Sequence, residues 1–163
     1  MCRIHQSLIK SAIKNYQDSL ESGNPVLPYE LVSTYQLTEN CGHLISGYTD
    51  CYQFTGGAHG NTIRSSETWN ISKGCRLSLT ELCACGYSQL LRQIKAEIKR
   101  QIACQSENYF DNYEELVDQT FNACQFYVEK GKVVIYFQQY DIAPYSTGIP
   151  TFQIPANICS ICL

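Results

Sequence analysis

Charge is scarce in this chain: Lys and Arg number 12, Asp and Glu 15, and only 17% of the 163 residues are charged. With a formal net charge of −3, no broad basic face is available, which argues against nucleic acid as a partner. Long apolar runs are missing too. No stretch approaches the roughly 20 residues that a helix needs to cross a bilayer. The opening MCRIHQSLIKSAIKNYQDSL also lacks the continuous apolar block of an export signal. Two alternatives stay open on that ground, a cytoplasmic chain or a piece of a longer exported one.

Histidine is rare. The three present, His5, His43 and His59, form no H-x-x-x-H or H-E-x-x-H, so a zinc hydrolase is unsupported. The chain has no G-x-S-x-G elbow, and TGGAHG lacks the Lys-Ser/Thr ending of a phosphate-binding loop. Cysteine, by contrast, is plentiful, at positions 2, 41, 51, 75, 83, 85, 104, 124, 159 and 162. Cys83 and Cys85 form a C-x-C, and Cys159 and Cys162 a C-x-x-C. A strong zinc signal repeats C-x-x-C at close spacing, and this chain does not, so scattered disulfides and free buried thiols rank ahead of a metal. No cysteine is marked as an activated nucleophile. No metal and no cofactor is expected.

What is present is patterned. Ile4, Leu8, Ile9, Ala12, Ile13, Tyr16 and Leu20 fall on one face of a first helix. YELVSTYQLTEN, HLISGYTDCYQF and NTIRSSETWNI read as strands separated by short turns, an antiparallel meander, with CRLSL following the SKG turn. Thr80 is placed to cap a short turn at ELC. From Ser88 the period becomes helical, with Leu90, Leu91, Ile94, Ile98 and Ile102 on one face and Lys95, Lys99 and Arg100 opposite. ENYFDNYEELVDQTF holds a shorter helix, CQFYVEKGKVVIYFQQY a hairpin turning at Glu129–Lys132, DIAPYSTGIP a loop and TFQI a last strand. The expected class is α+β, one domain over 1–163, with a mainly antiparallel sheet and helices packed on one side.

Three places invite function. In FTGGAHG the glycines permit positive φ and close backbone approach, and His59 has no carboxylate or nucleophile at local spacing. A structural role for His59, bonded to a neighbouring carbonyl or carboxylate, is favoured over catalysis. Between Glu107 and Asp118, five carboxylates mix with Tyr109, Phe110 and Tyr113. Either this is a solvated helix face with inward aromatics, or an acidic, aromatic patch for a cationic protein partner. The loop DIAPYSTGIP is stiffened by proline. Asp141, Pro144, Tyr145 and Gly148 make it a candidate partner surface with Tyr145 as anchor, against the alternative that it merely folds onto the sheet.

YQFTGGAHGNT, SKGCRLSLTELC and VVIYFQQYDIAPYSTGIPTFQIP occur in an order that resembles a bacterial extracytoplasmic domain family of unknown function. That family includes the outer domain of the anti-sigma-V factor, a lysozyme receptor, and a region preceding the catalytic domain of the peptidoglycan deacetylase PdaC. The resemblance runs from Ile4 to Pro155 and rests on T-G-G-A-H-G together with Y-x-I-A-P-Y-x-x-G. It implies a non-enzymatic, extracytoplasmic sensing or binding domain, whose partner is a protein such as lysozyme. The alternative it offers is an accessory module contacting cell-wall glycan beside a deacetylase. Deacetylase chemistry itself would need an Asp and paired His that this chain lacks. Family members usually carry strands before the first helix, so the resemblance implies that N-terminal strands are missing here. It makes Thr55, Gly56, Gly57, Ala58, His59 and Gly60 a conformational signature, with His59 a buried polar pin. An exported domain is expected to oxidise some cysteine pairs, and Cys159 with Cys162 are the nearest in sequence.

Overall fold

The computed structural model describes residues 3–23, 28–55, 58–83, 86–159 and 161. Strands β1 (Glu30–Cys41), β2 (Leu44–Phe54), β3 (Asn61–Asn70) and β4 (Cys75–Arg76) form an antiparallel sheet in the order β1-β2-β3-β4. The expected meander is therefore present, though CRLSL contributes only two residues of strand. Gly42 and Gly74 sit at φ 58° and 63° in the turns, where an L side chain would be strained.

A second antiparallel sheet holds β5 (Phe126–Glu129), β6 (Lys132–Tyr136) and β7 (Thr151–Gln153) in that order. Lys130 and Gly131 close the β5–β6 hairpin with φ of 50° and 70°. Two successive positive values suit the right-handed twist of the strands they join.

Three helices follow the expected pattern: α2 (Leu79–Leu82), α3 (Tyr87–Ala103) and α4 (Tyr113–Thr120). In α2 the start differs in detail. Ser78, not Thr80, takes the cap position, and the Glu81 carboxylate accepts from its backbone N–H at 2.7 Å and its hydroxyl at 2.6 Å. Thr80 lies inside the helix, because a reciprocal Ser-x-x-Glu pair satisfies the first turn better than a lone hydroxyl. Leu90, Ile94, Ile98 and Ile102 of α3 are fully buried with Val117 of α4 against Phe126, Val128, Val133, Ile135, Phe137 and Phe152. This is the main core, and it lies between the helices and one face of the second sheet.

The opposite face of that sheet, Tyr127, Val134 and Tyr136, meets Tyr48 of β2. Hydroxyls complete the seam. Ser46 Oγ accepts from Val128 N–H at 2.8 Å, Thr38 donates to the Val128 carbonyl at 2.6 Å, and Ser66 donates to that of Phe126. The edge of β5 is thus capped by side chains of β1, β2 and β3, which blunts an otherwise open pairing edge. The polar character of the inner β2 face follows from this. Arg64 lies over the Tyr48 ring at 3.7 Å and grips both Asp50 oxygens at 2.7 Å. Burial works against its charge, but the bond and charge of Asp50 more than offset it, and the Arg64 pKa rises.

Helix α1 (Arg3–Ser22) forms where its periodicity predicts. The expectation that helices pack on one side of the sheet holds for α2, α3 and α4. In α1, Ile9, Ile13, Tyr16 and Leu20 stay exposed. No helix among the described residues is long and apolar enough to cross a membrane.

Candidate functional site

After β6 the chain does not continue as strand. Instead Gln138 and Gln139 use their side chains to pair with the free edge of β3. Gln139 Oε1 accepts from Thr62 N–H at 2.6 Å, and Gln138 accepts from Arg64 N–H at 2.9 Å and donates to its carbonyl at 2.8 Å. Tyr140 then takes φ 67°, a left-handed conformation uncommon for a bulky residue. That reversal sends the Tyr140 side chain toward the end of the β2–β3 connection, where its hydroxyl lies 3.1 Å from His59 Nε2.

The His59 ring is held from three directions. Nδ1 lies 3.1 Å from the Gly60 carbonyl, which can only accept, so Nδ1 carries the proton in the neutral ring. Nε2 is then the acceptor for Tyr140. The ring face stacks on Tyr145 with centroids 4.0 Å apart and planes 24° apart. Tyr140 and Tyr145 are themselves 5.9 Å apart. Below them Gly60 is buried, and a Cβ there would overlap the Tyr52 ring. This close approach is why a glycine ends the motif.

His59 was expected to be buried, and it is exposed. Its polar contacts lie at the surface, because Tyr140 and Tyr145 reach it from the connection after β6 rather than from the core. Those partners are a phenol, a peptide carbonyl and an aromatic face, not the carboxylate or thiol that would activate a histidine. Thr55 is exposed beside the site, Ala58 lies next to His59, and Gly56 and Gly57 fall outside the described residues.

The loop of residues 141–150 is anchored by Ile142 and Ala143, both buried. Pro144 is exposed, Tyr145 opens a short 3-10 turn over Tyr145–Thr147, and Gly148 closes it at φ 73°. Thr147 donates to the Asn108 carbonyl at 2.9 Å, tying the loop to the acidic segment. Asp141 was expected to offer charge to a partner. It is half-buried and accepts from the Gln138 N–H at 2.8 Å, so its carboxylate holds the loop's own turn. Burial pushes its pKa up, and the Gln138 bond only partly counters this. Tyr109 and Tyr113 turn inward onto the core, Tyr109 with its ring 6.2 Å from that of Phe152. The inward-aromatic reading of that segment is the observed one, while Glu107 and Asp111 remain exposed.

Cys159 is bonded to Cys83, not to Cys162, which lies outside the described residues. A bridge β-pairing of Cys83 with Ile161 brings the C-terminal segment to α2, and this long-range contact overrides proximity in sequence. The disulfide also takes two of the four thiolates that a zinc site would use. Among the described residues no group of three or more His, Cys, Asp or Glu is arranged for a metal.

A second exposed feature went unrecognised in the sequence. On the outer face of β1–β3, Tyr35, Ile45, Thr49, Ile63, Ser65 and Trp69 line an open groove of about 370 Å³. Tyr35 is 65% exposed and Trp69 38%, the latter with Nε1 donating to Glu67 at 3.1 Å. The alternation Ile63-x5-Trp69 marked the face, but nothing local said that it would be left open.

Residues 3–62 match the family described as Deacetylase PdaC, and residues 84–157 match a protein family of unknown function, DUF3298. The two matches lie side by side along the chain and do not overlap. The family resemblance carried by the motifs is therefore sound. His59 falls within the residues that match the first model and Tyr140 and Tyr145 within those that match the second, so the aromatic cluster is a point where the two matched stretches meet.

The fold is similar to that of two solved DUF3298 proteins. A DUF3298 family protein from Pseudomonas aeruginosa PAO1 has a TM-score of 0.65 at 23% identity, over 87% of this chain and 64% of its own. A DUF3298 member from Bacteroides fragilis NCTC 9343 has a TM-score of 0.64 at 18% identity, over 91% of this chain and 60% of its own. At such identities the likeness is one of fold. The chain spans less than two thirds of either relative's length. No curated protein matches it.

Proposed function

We propose that this is a non-catalytic, extracytoplasmic binding domain whose ligand surface is the junction of His59, Tyr140 and Tyr145. The observation that carries the reading is an aromatic cluster, with His59 and Tyr140 exposed and Tyr145 half-buried, on a loop anchored by Gln138, Gln139 and the buried Ile142–Ala143 pair. Preorganised aromatics bind with little loss of side-chain entropy, and Tyr is a favoured anchor in protein interfaces. Exposed Glu107 and Asp111 lie on the segment that Thr147 ties to the loop, and they supply the negative charge that Asp141 does not. A basic protein suits such a surface.

The resemblance to the lysozyme-receptor domain makes lysozyme the first ligand to try. Calorimetric titration of this domain with lysozyme tests it: saturable binding supports the sensing role, and no heat at high micromolar concentration removes lysozyme as the ligand.

A second reading, an accessory module contacting cell-wall glycan, is favoured by the open groove with Tyr35 and Trp69. Flat aromatic rings beside the Glu67 carboxylate suit the apolar face and hydroxyls of a sugar. Trp69 is the chain's single tryptophan, so its fluorescence reports directly on that face. A saturable change on adding N-acetylglucosamine oligomers supports this reading, and an unaltered spectrum counts against it.

A further inference from the structure

Helix α1 carries its exposed apolar residues at Ile9, Ile13, Tyr16 and Leu20. The spacing is four, three, four, the seam of a two-helix coiled coil. These side chains are 39%, 54%, 46% and 56% exposed. A helix of this length is marginal alone in water and draws its stability from burying such a face. Ile9 and Ala12 together line a small cleft with Tyr29, Leu31 and Phe54, so the body meets the helix beside the start of the seam. Ile13, Tyr16 and Leu20 lie beyond that cleft and are the most exposed of the four.

The charges beside the seam say what fits it. Lys10, Lys14, Gln17 and Glu21 form one flanking stripe, basic at its start and acidic at its end, and all four are exposed. No ion pair among the described residues engages Lys10, Lys14 or Glu21. When two copies of a helix pair antiparallel, like flanks face one another in opposite directions. A two-fold axis between Ile13 and Tyr16 then sets Ile9 against Leu20, Ile13 against Tyr16, and Lys10 against Glu21, each contact occurring twice. A parallel pair would instead set this stripe against Ala12 and Ser19, with no complementary charge.

We propose that two copies of this chain associate through α1, packed antiparallel along the Ile9–Leu20 seam with reciprocal Lys10–Glu21 pairs. The inference is independent of the ligand surface, which lies in the loops of residues 58–60 and 140–148.

Sedimentation velocity over a range of protein concentrations tests it, with far-ultraviolet circular dichroism and melting curves as controls on folding. The wild-type chain is expected to dimerise reversibly, and Ile13→Asp to sediment as a folded monomer. Lys10→Glu and Glu21→Lys are each expected to weaken the dimer by about three- to tenfold, as befits two exposed ion pairs. The double variant Lys10→Glu/Glu21→Lys, which restores complementarity only in the antiparallel arrangement, is expected to recover wild-type association. The proposal is overturned by a wild-type chain that stays monomeric, by an Ile13→Asp dimer, or by a double variant no better than the singles. The charge variants leave the seam intact, so they decide the matter even if Ile13→Asp perturbs the helix.

Discussion

The imidazole of His59 lies flat against the ring of Tyr145, with centroids 4.0 Å apart, while its Nε2 meets the Tyr140 hydroxyl at 3.1 Å. The contact joins the two sequence signatures of the chain at the surface. Removing the His59 ring is therefore expected to disturb folding little. His59→Ala is expected to cost no more than about 1 kcal/mol, the scale of an exposed stacking contact. Melting curves check the figure, and a loss several times larger would mean that His59 supports the core.

Gly60 is a different matter, because it is buried against Tyr52. Gly60→Ala forces a methyl group into that ring and is expected to destabilise by about 1–3 kcal/mol, the usual cost of overpacking. Adding Tyr52→Ala makes room, so the double variant should show less than the sum of the two single losses. Chemical denaturation of the four proteins measures the coupling.

The Cys83–Cys159 bond closes a sequence separation of 76 residues and fastens the C-terminal segment to α2. Replacing both cysteines with serine is expected to lower stability by about 2–4 kcal/mol. Non-reducing peptide mapping should recover the Cys83–Cys159 cross-link, and finding Cys159 joined to Cys162 instead would contradict this arrangement.

The seam between the sheets predicts a response to alkali. Burial pushes the Tyr127 hydroxyl up to about 12, with Arg64 opposing the shift. The unfolded phenol ionises near its ordinary value of 10, so above that pH the unfolded state binds fewer protons than the native one. The contribution of Tyr127 is thus fully present below pH 10 and is lost as pH rises toward about 12. Urea midpoints measured across this window should fall, and Tyr127→Phe should flatten the fall. Buried Tyr136 adds to it in the same direction.

Much of this fold is legible from periodicity. The α3 stripe from Leu90 to Ile102 and the turn at Lys130-Gly131 come directly from spacing and turn chemistry. What stays hidden depends on contacts between distant segments. Ser46, Ser66 and Thr38 look like solvent positions in an alternating strand, yet they cap the edge of β5. Asp141 looks like a free loop charge, yet a backbone N–H three residues away captures it. Tyr140 reads as the end of a strand, and only its left-handed φ turns it toward His59. Exposure of His59 could not be read from TGGAHG, since the glycines allow close approach without saying to what.

The ligand surface is tested most directly by comparing Tyr145→Ala with Trp69→Ala in calorimetric titrations against lysozyme. The two side chains lie on the two surface aromatic features, the half-buried Tyr145 at the loop junction and the exposed Trp69 on the open sheet face. Tyr145→Ala is expected to weaken binding by about 2 kcal/mol or more, as removal of an interface anchor does, while both proteins melt like the parent. Trp69→Ala should leave the affinity unchanged. Full affinity in Tyr145→Ala together with loss in Trp69→Ala would contradict this expectation, and would move the binding surface to the open face of the sheet.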